Sequence, residues 1–278
     1  MRRTVPIQTL HLFPVLNDLL IELLTSLEPP DWNKVTIAPL WTVKDIVAHL
    51  LDTNMRAIAS ANNYSGKPPE NIQSYSDLVA YLNELNAVWV KAMDRVSPQQ
   101  LIAMLESTSE PYFNYLASLD PFATAKYAVS WAGEEQSENW FHIAREYTEK
   151  WHHQQQIRDA VNKPGIMHRE LFYPCMDTFM RGLPHTYRNT TASAGTLIEI
   201  SISTEAGGSW YLERSTDSWA LINDRAGKSP DAAIIIKPDT AWKLFTKGIK
   251  PEMAIEVADI KGDEKLGKVM FNMLAVMA

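Results

Sequence analysis

Hydrophobic positions fall into two patterns along the chain. Up to residue 161 they recur at intervals of three and four, the period of amphipathic helices, and after residue 196 they alternate, the period of half-buried strands. A first helix is expected over residues 9–27, stopping before Pro29 and Pro30. A second opens at Trp41, with Thr42 as N-cap and Asp45 three positions on as a capping-box partner; Ile46, Val47, Leu50, Leu51 and Ile58 form its apolar face. His49 lies beside that face, towards Asp45, Asp52 and Arg56. A polar loop over 62–74, with Gly66, Pro68 and Pro69, precedes a third helix over about 75–95. Ser97, Pro98 and Gln100 then give an N-cap, a proline at N1 and a glutamine at N3, a strong start for a fourth helix that runs towards Leu105 and resumes over 112–117.

The longest uninterrupted stretch is 134–161, with no glycine or proline inside it and three of the seven histidines. Trp140, Ile143, Ala144, Tyr147 and Trp151 form one apolar stripe, and His142, Glu146, Glu149, His153 and Gln156 form a second one roughly opposite. The polar stripe reads in two ways. It is the water-facing side of a core helix, or it presents ligands. Glu149 and His153 are four apart, so their side chains lie one above the other on one face. That places a carboxylate and an imidazole where both reach one divalent ion, but catalytic zinc usually takes three protein ligands, and a third must come from elsewhere.

The pattern changes at Asn162-Lys163-Pro164-Gly165. Beyond a last helical segment, strands are expected at 196–204, 209–214, 219–223 and 231–237, followed by a helix from Pro238 that stops at Gly248, a mixed helix and strand over 253–260, and a closing helix over 264–277. The fold class is therefore two-domain α+β: a helical bundle over residues 1–163, then a small, mainly antiparallel sheet with helices on one face over 164–278.

Composition narrows the function. A formal net charge of -7 gives no electrostatic case for nucleic acid or an anionic membrane as partner. The N-terminal stretch has arginines followed by leucines, but polar residues interrupt it and no small-residue cleavage site follows, so it reads as a helix of the folded domain. No run is apolar enough to span a bilayer. Cys175, the single cysteine, excludes an intramolecular disulfide and a cysteine-rich zinc site. It sits among apolar residues and reads as a small core residue rather than a nucleophile. A small-molecule substrate and a cytoplasmic location are the expectation, with the oligomeric state open.

Two fragments carry a family resemblance: Trp41-Thr-Val-Lys-Asp-Ile-Val-Ala-His49-Leu50 and Glu149-Lys-Trp-His-His153-Gln-Gln-Gln156-Ile157. Together they resemble the DinB-like metal-binding four-helix bundle and its relative, the N-terminal domain of mycothiol-dependent maleylpyruvate isomerases. The resemblance implies His49, Glu149 and His153 as a metal triad, with glutamate at the first position of the later pair as in the isomerase branch. His152, three residues from Glu149, competes for the same face; the spacing of His153 to Gln156 and Ile157 favours His153. The tail after Asp231 looks like the end of a sterol-carrier-like (SCP2-like) domain.

Two histidines, a carboxylate and an open position suit zinc or another first-row divalent metal. The resemblance implies a low-molecular-weight thiol as co-substrate and an isomerase or S-transferase, while a metal-bound water would give hydrolysis. No catalytic or thiol-binding residue is marked by the sequence. Glu146 and His142 are candidates for orienting contacts, and Arg214 for an anionic substrate. The alternative is a non-enzymatic carrier whose second domain encloses an apolar ligand among Trp210, Trp219, Trp242, Phe245 and Met270; those residues equally suit a core.

Overall fold

A computed structural model describes residues 3–64, 66, 69–70 and 72–277; Arg2 of the N-terminal stretch and Pro68 of the polar loop lie outside the described residues. The chain divides into two compact units, neither of them a single segment. One contains Thr9–Ala123 and Glu149–Gly165; the other contains residues 3–8, Thr124–Thr148 and Ile166–Met277.

The first unit is a helical bundle. It contains α1 (Leu12–Thr25), α2 (Val43–Ala61), α3 (Tyr75–Met93), α4 (Pro98–Ser118) and the second half of α5 (Asn139–Val161). Its starts follow the caps. Thr42 Oγ1 accepts from the Asp45 N–H at 3.3 Å while Asp45 Oδ2 accepts from the Thr42 N–H at 2.8 Å, so two orphan amides of α2 are satisfied reciprocally. Ser97 caps α4 in the same way, with Pro98 at N1. The core is built from Leu20 and Leu24 of α1, Ile46, Val47, Leu50 and Leu51 of α2, Leu101 and Leu105 of α4, and Ile157 and Val161 of α5. Helix α3 lies outside this core. Asn86 is its single buried residue, and it is tied to α2 by Trp89, whose indole N–H donates to the Ala48 carbonyl at 2.8 Å.

Helix α4 does not break before Tyr112 as expected: it continues from Pro98 to Ser118 with Pro111 inside it. The hydroxyls of Ser107 and Thr108 donate back to the Met104 carbonyl and that of Ser109 to the Leu105 carbonyl, the back-bonding that accompanies bends in a helix. Helix α5 starts at Asn139 rather than at residue 134, because Glu138 pairs with Thr124 in an isolated β-bridge. It ends at Asn162, which adopts the left-handed conformation (φ 56°) and turns the chain out.

The second unit holds the first half of α5, α6 (Arg169–Met180), α7 (Leu183–Tyr187) and a five-stranded sheet. Its strands are β1 (Leu197–Ile202), β2 (Gly208–Arg214), β3 (Trp219–Ile222), β4 (Ala232–Ile236) and β5 (Asp259–Gly262), in the order β3-β2-β1-β4-β5. Three pairings are antiparallel and the central β1–β4 pairing is parallel, so the sheet is mixed and mainly antiparallel. The alternation puts Ile198, Ile200, Trp210, Leu212, Ile234 and Ile236 on one buried face. There Tyr173 of α6 stacks on Trp210 at 5.4 Å, and Asp177 accepts from the Trp210 indole N–H at 2.8 Å. Helices α8 (Pro238–Phe245), α9 (Pro251–Glu256) and α10 (Glu264–Val269) complete the unit.

The closing helix is shorter than expected. Helix α10 stops at Val269, a short 3-10 turn follows, and the chain then runs extended, with the Ala275 N–H donating to the Phe245 carbonyl at 2.9 Å. That carbonyl stands at the end of α8 without a helical partner, and the tail satisfies it. The fold as a whole is two-domain α+β, as its hydrophobic pattern requires.

Candidate metal centre

The polar stripe of α5 does not face water. His153 and Gln156 are buried, and so are His152, Gln154, Gln155 and Arg158 beside them. Gln154 and Arg158 find partners inside the bundle, whereas Gln155 Oε1 is buried without one. With its amide turned to suit its neighbours, Gln154 donates to the Leu16 carbonyl of α1 at 3.0 Å and accepts from the Leu20 N–H at 3.2 Å. Arg158 donates to the Leu19 carbonyl at 3.0 Å and to the carbonyls of Lys163 and Pro164. The helix therefore packs around most of its circumference although its sequence is polar.

Within this packing α2 and α5 bring His49, Glu149 and His153 together. One ligand atom from each lies within 4.8 Å of the others. His153 Nε2 is 3.5 Å from Glu149 Oε2, close to the spacing of about 3.4 Å that tetrahedral zinc imposes on its ligand atoms. Three features set the geometry. Helix α2 is fixed in register by the Thr42–Asp45 cap, which puts His49 two turns in, and the indole of Trp41 stands 4.9 Å from the His49 ring and 6.0 Å from that of His153. The imidazoles of His49 and His153 meet edge to face at 4.6 Å. Gln156 Oε1 accepts from the Nδ1–H of His153 at 2.8 Å, which fixes the tautomer and leaves Nε2 with its lone pair on the Glu149 side.

The electrostatics favour a deprotonated ligand set. Burial pushes the His49 pKa well below its ordinary value, and the neighbouring His153 adds to this, so His49 is neutral. Burial alone would raise Glu149, but the adjoining imidazoles, His153 foremost, outweigh it and hold the carboxyl well below the usual carboxylate range. His49 Nδ1 is buried with no hydrogen-bond partner. A buried imidazole nitrogen without a partner, beside a carboxylate and a second imidazole, is what a metal-ligand set looks like without its ion, so these residues fit a divalent metal. The two imidazole side chains are nearly closed to solvent, and Glu149, 26% exposed, is the accessible member.

The other candidates lie elsewhere. The His152 ring lies tilted against that of His153, 3.9 Å between centroids, and His152 is not among the three groups whose donor atoms converge. His142 and Glu146 belong to the other compact unit, where Arg145 donates to His142 Nδ1 and to Glu146 Oε1, each at 2.7 Å. Arg214, at the end of β2, reaches the Thr216 carbonyl at 3.4 Å and the Trp219 ring at 5.9 Å. Cys175 is fully buried. Trp210, Trp219, Trp242, Phe245 and Met270 are all buried, the last three completely, and form core rather than walls of an open pocket. Among the described residues no helix is long and apolar enough to cross a membrane. Sequence reasoning gave Trp41 no part in the site; its position directly before the N-cap, two turns from His49, is the signal that would have found it.

Comparison with known proteins identifies the family of the chain. No curated protein matches the sequence. Among solved structures, the mycothiol-dependent maleylpyruvate isomerase is similar at 10% identity and a TM-score of 0.49, with 84% of this chain and 86% of that one covered. A histidine-to-alanine mutant of it matches at 9% identity with the same score and coverage. The UbiJ-SCP2 ubiquinone synthesis protein is similar over 36% of this chain and 93% of its own, at 14% identity and a TM-score of 0.26. The family model described as the mycothiol maleylpyruvate isomerase N-terminal domain matches residues 15–158, more than half of the chain and a span that includes all three converging side chains, and the chain belongs to that family.

Proposed function

We propose that the chain is a zinc-dependent enzyme that activates a low-molecular-weight thiol for cis–trans isomerisation or S-transfer. In this reading residues 1–163 carry the chemistry and residues 164–278 form an SCP2-like companion domain. His49, Glu149 and His153 hold the metal. The observation that carries the reading is the convergence of donor atoms from three side chains on two helices, where the Nδ1 of His49 is also buried without a partner. Bound there, zinc supplies Lewis acidity that lowers the pKa of a coordinated thiol. The chain's own residues do the rest. Glu149 contributes the single negative charge of the ligand set, Gln156 keeps His153 in the tautomer that presents Nε2, and Trp41 walls one side of the imidazole pair. A reducing, cytoplasmic compartment suits both a thiol co-substrate and a lone cysteine.

Elemental analysis of untagged protein, beside His153→Ala, tests the site. The expected result is about one zinc per chain, lost in the variant. Small thiols are then screened with cis-enediones and other electrophiles. A native protein that takes up no metal even from added zinc would sink the proposal.

A further inference from the structure

The bundle contains a cavity of about 320 Å3, within the size range of small-ligand sites. It lies between α1 and α4, and Asn54, Lys150 and Gln154 from α2 and α5 complete its lining. At this level α4 carries Pro111, which takes one amide out of its hydrogen-bond ladder, and the Gln154 amide reaches α1 at Leu16 and Leu20.

The inner polar groups are already engaged by protein. Lys150 donates to the Leu50 carbonyl at 3.0 Å and to Asn54 Oδ1 at 2.5 Å, Asn54 donates to Thr108, and the Ser109 hydroxyl lies 2.6 Å from the Asn17 amide. The body of a ligand would therefore meet mainly aromatic surface from Phe13, Tyr112 and Phe113. The Tyr112 ring already carries one cation, the Lys150 ammonium, 4.7 Å from its centroid. The charge at the solvent side is negative. Asp18, Glu106 and Glu110 are exposed lining residues, and none makes an ion pair among the described residues.

We propose that this cavity binds a small organic cation, with an aryl or alkyl body among the aromatic rings and an ammonium group at the Asp18, Glu106 and Glu110 carboxylates. Nothing in this depends on metal at the triad. Three probes share one body and differ in charge: 2-phenylethylammonium, 2-phenylethanol and phenylacetate. Their binding to the full chain is measured by calorimetry and by ligand-observed magnetic resonance. The ammonium binds about 5-fold more tightly than the alcohol, as three exposed charges allow, and phenylacetate more weakly than either. In Asp18→Asn/Glu106→Gln/Glu110→Gln, a surface variant that leaves the core untouched, the ammonium falls to the level of the alcohol. In Ser109→Phe, shown folded by its thermal melt, the cavity is filled and binding of all three is lost. No binding to the native chain, a preference for phenylacetate or the alcohol, an unchanged preference in the charge variant, or unchanged binding in a folded Ser109→Phe protein would each overturn the proposal.

Discussion

Replacing Gln156 by leucine removes the acceptor that holds the Nδ1–H of His153 at 2.8 Å while leaving all three proposed metal ligands in place. Two effects follow, one on folding and one on metal binding, and separate readouts distinguish them. Gln156 is 4% exposed, so the imidazole N–H loses its partner without gaining water, at a cost to folding of about 1–3 kcal/mol. The ring also becomes free to turn and to change tautomer. Loss of such an outer contact weakens metal binding about 10–100-fold, equivalent to ~1.4–2.7 kcal/mol. Gln156→Glu keeps an acceptor at the same place and adds charge, so its affinity is equal to or above that of the native protein. The assay is a competitive zinc titration against a chromophoric chelator at neutral pH, with folded fraction followed by circular dichroism. Native affinity in a folded Gln156→Leu protein would refute the assigned role. Equal weakening in the leucine and glutamate variants would trace the effect to packing instead of to the hydrogen bond.

Three further outcomes are expected. Burial lowers the His142 pKa to about 4 against the opposing field of Glu146, with Arg145 assisting; a histidine held neutral in the fold stabilises fully above its unfolded pKa near 6.5 and loses that contribution as pH falls towards about 4. Urea unfolding at about pH 5 should therefore show a loss of ~2 kcal/mol relative to neutral pH, and His142→Gln should lack that part of the slope. Thr42→Ala removes the cap of α2 and should cost about 1 kcal/mol in the same assay without changing metal stoichiometry, because the ligand itself is untouched. Gly262→Ala places a methyl group 2.1 Å from the Asp231 carbonyl at φ 78°, where side chains are strained, and should lower stability by more than about 1 kcal/mol, read from the urea midpoint.

The starts of α2, α3 and α4 were legible because their signals are local. Thr42 with Asp45, Ser74 with Asp77, and Ser97 with Gln100 are pairs within one turn, and no distant residue is needed to make them work. The burial of the α5 polar stripe was not legible. Helical period distinguishes a polar face from an apolar one, but Gln154 and Arg158 are buried because carbonyls of α1 receive them, and those carbonyls have no sequence signature. The passage of α4 through Pro111 and the extended tail after Asn272 depend in the same way on partners one turn back or far along the chain. At the candidate metal centre the Glu149–His153 pair follows from four-residue spacing alone. His49 comes from another helix 100 residues earlier, so only the family resemblance, and then the fold, connects it to them.

The interleaving of the two compact units governs how this chain must be born. Helices α1 to α4 leave the ribosome with the Ile157 and Val161 side of their core open, and the residues that close it arrive only when synthesis passes Ala123 and reaches Gly165. At ordinary elongation rates that delay is roughly 2–8 s. Thr124–Thr148 then waits for the sheet, whose last strand ends at Gly262, 97 positions after Gly165 and roughly 5–19 s later. Nascent intermediates with uncovered leucines and unpaired strand edges persist throughout, so yield in the cell is set by chaperone access during translation as much as by the stability of the finished fold.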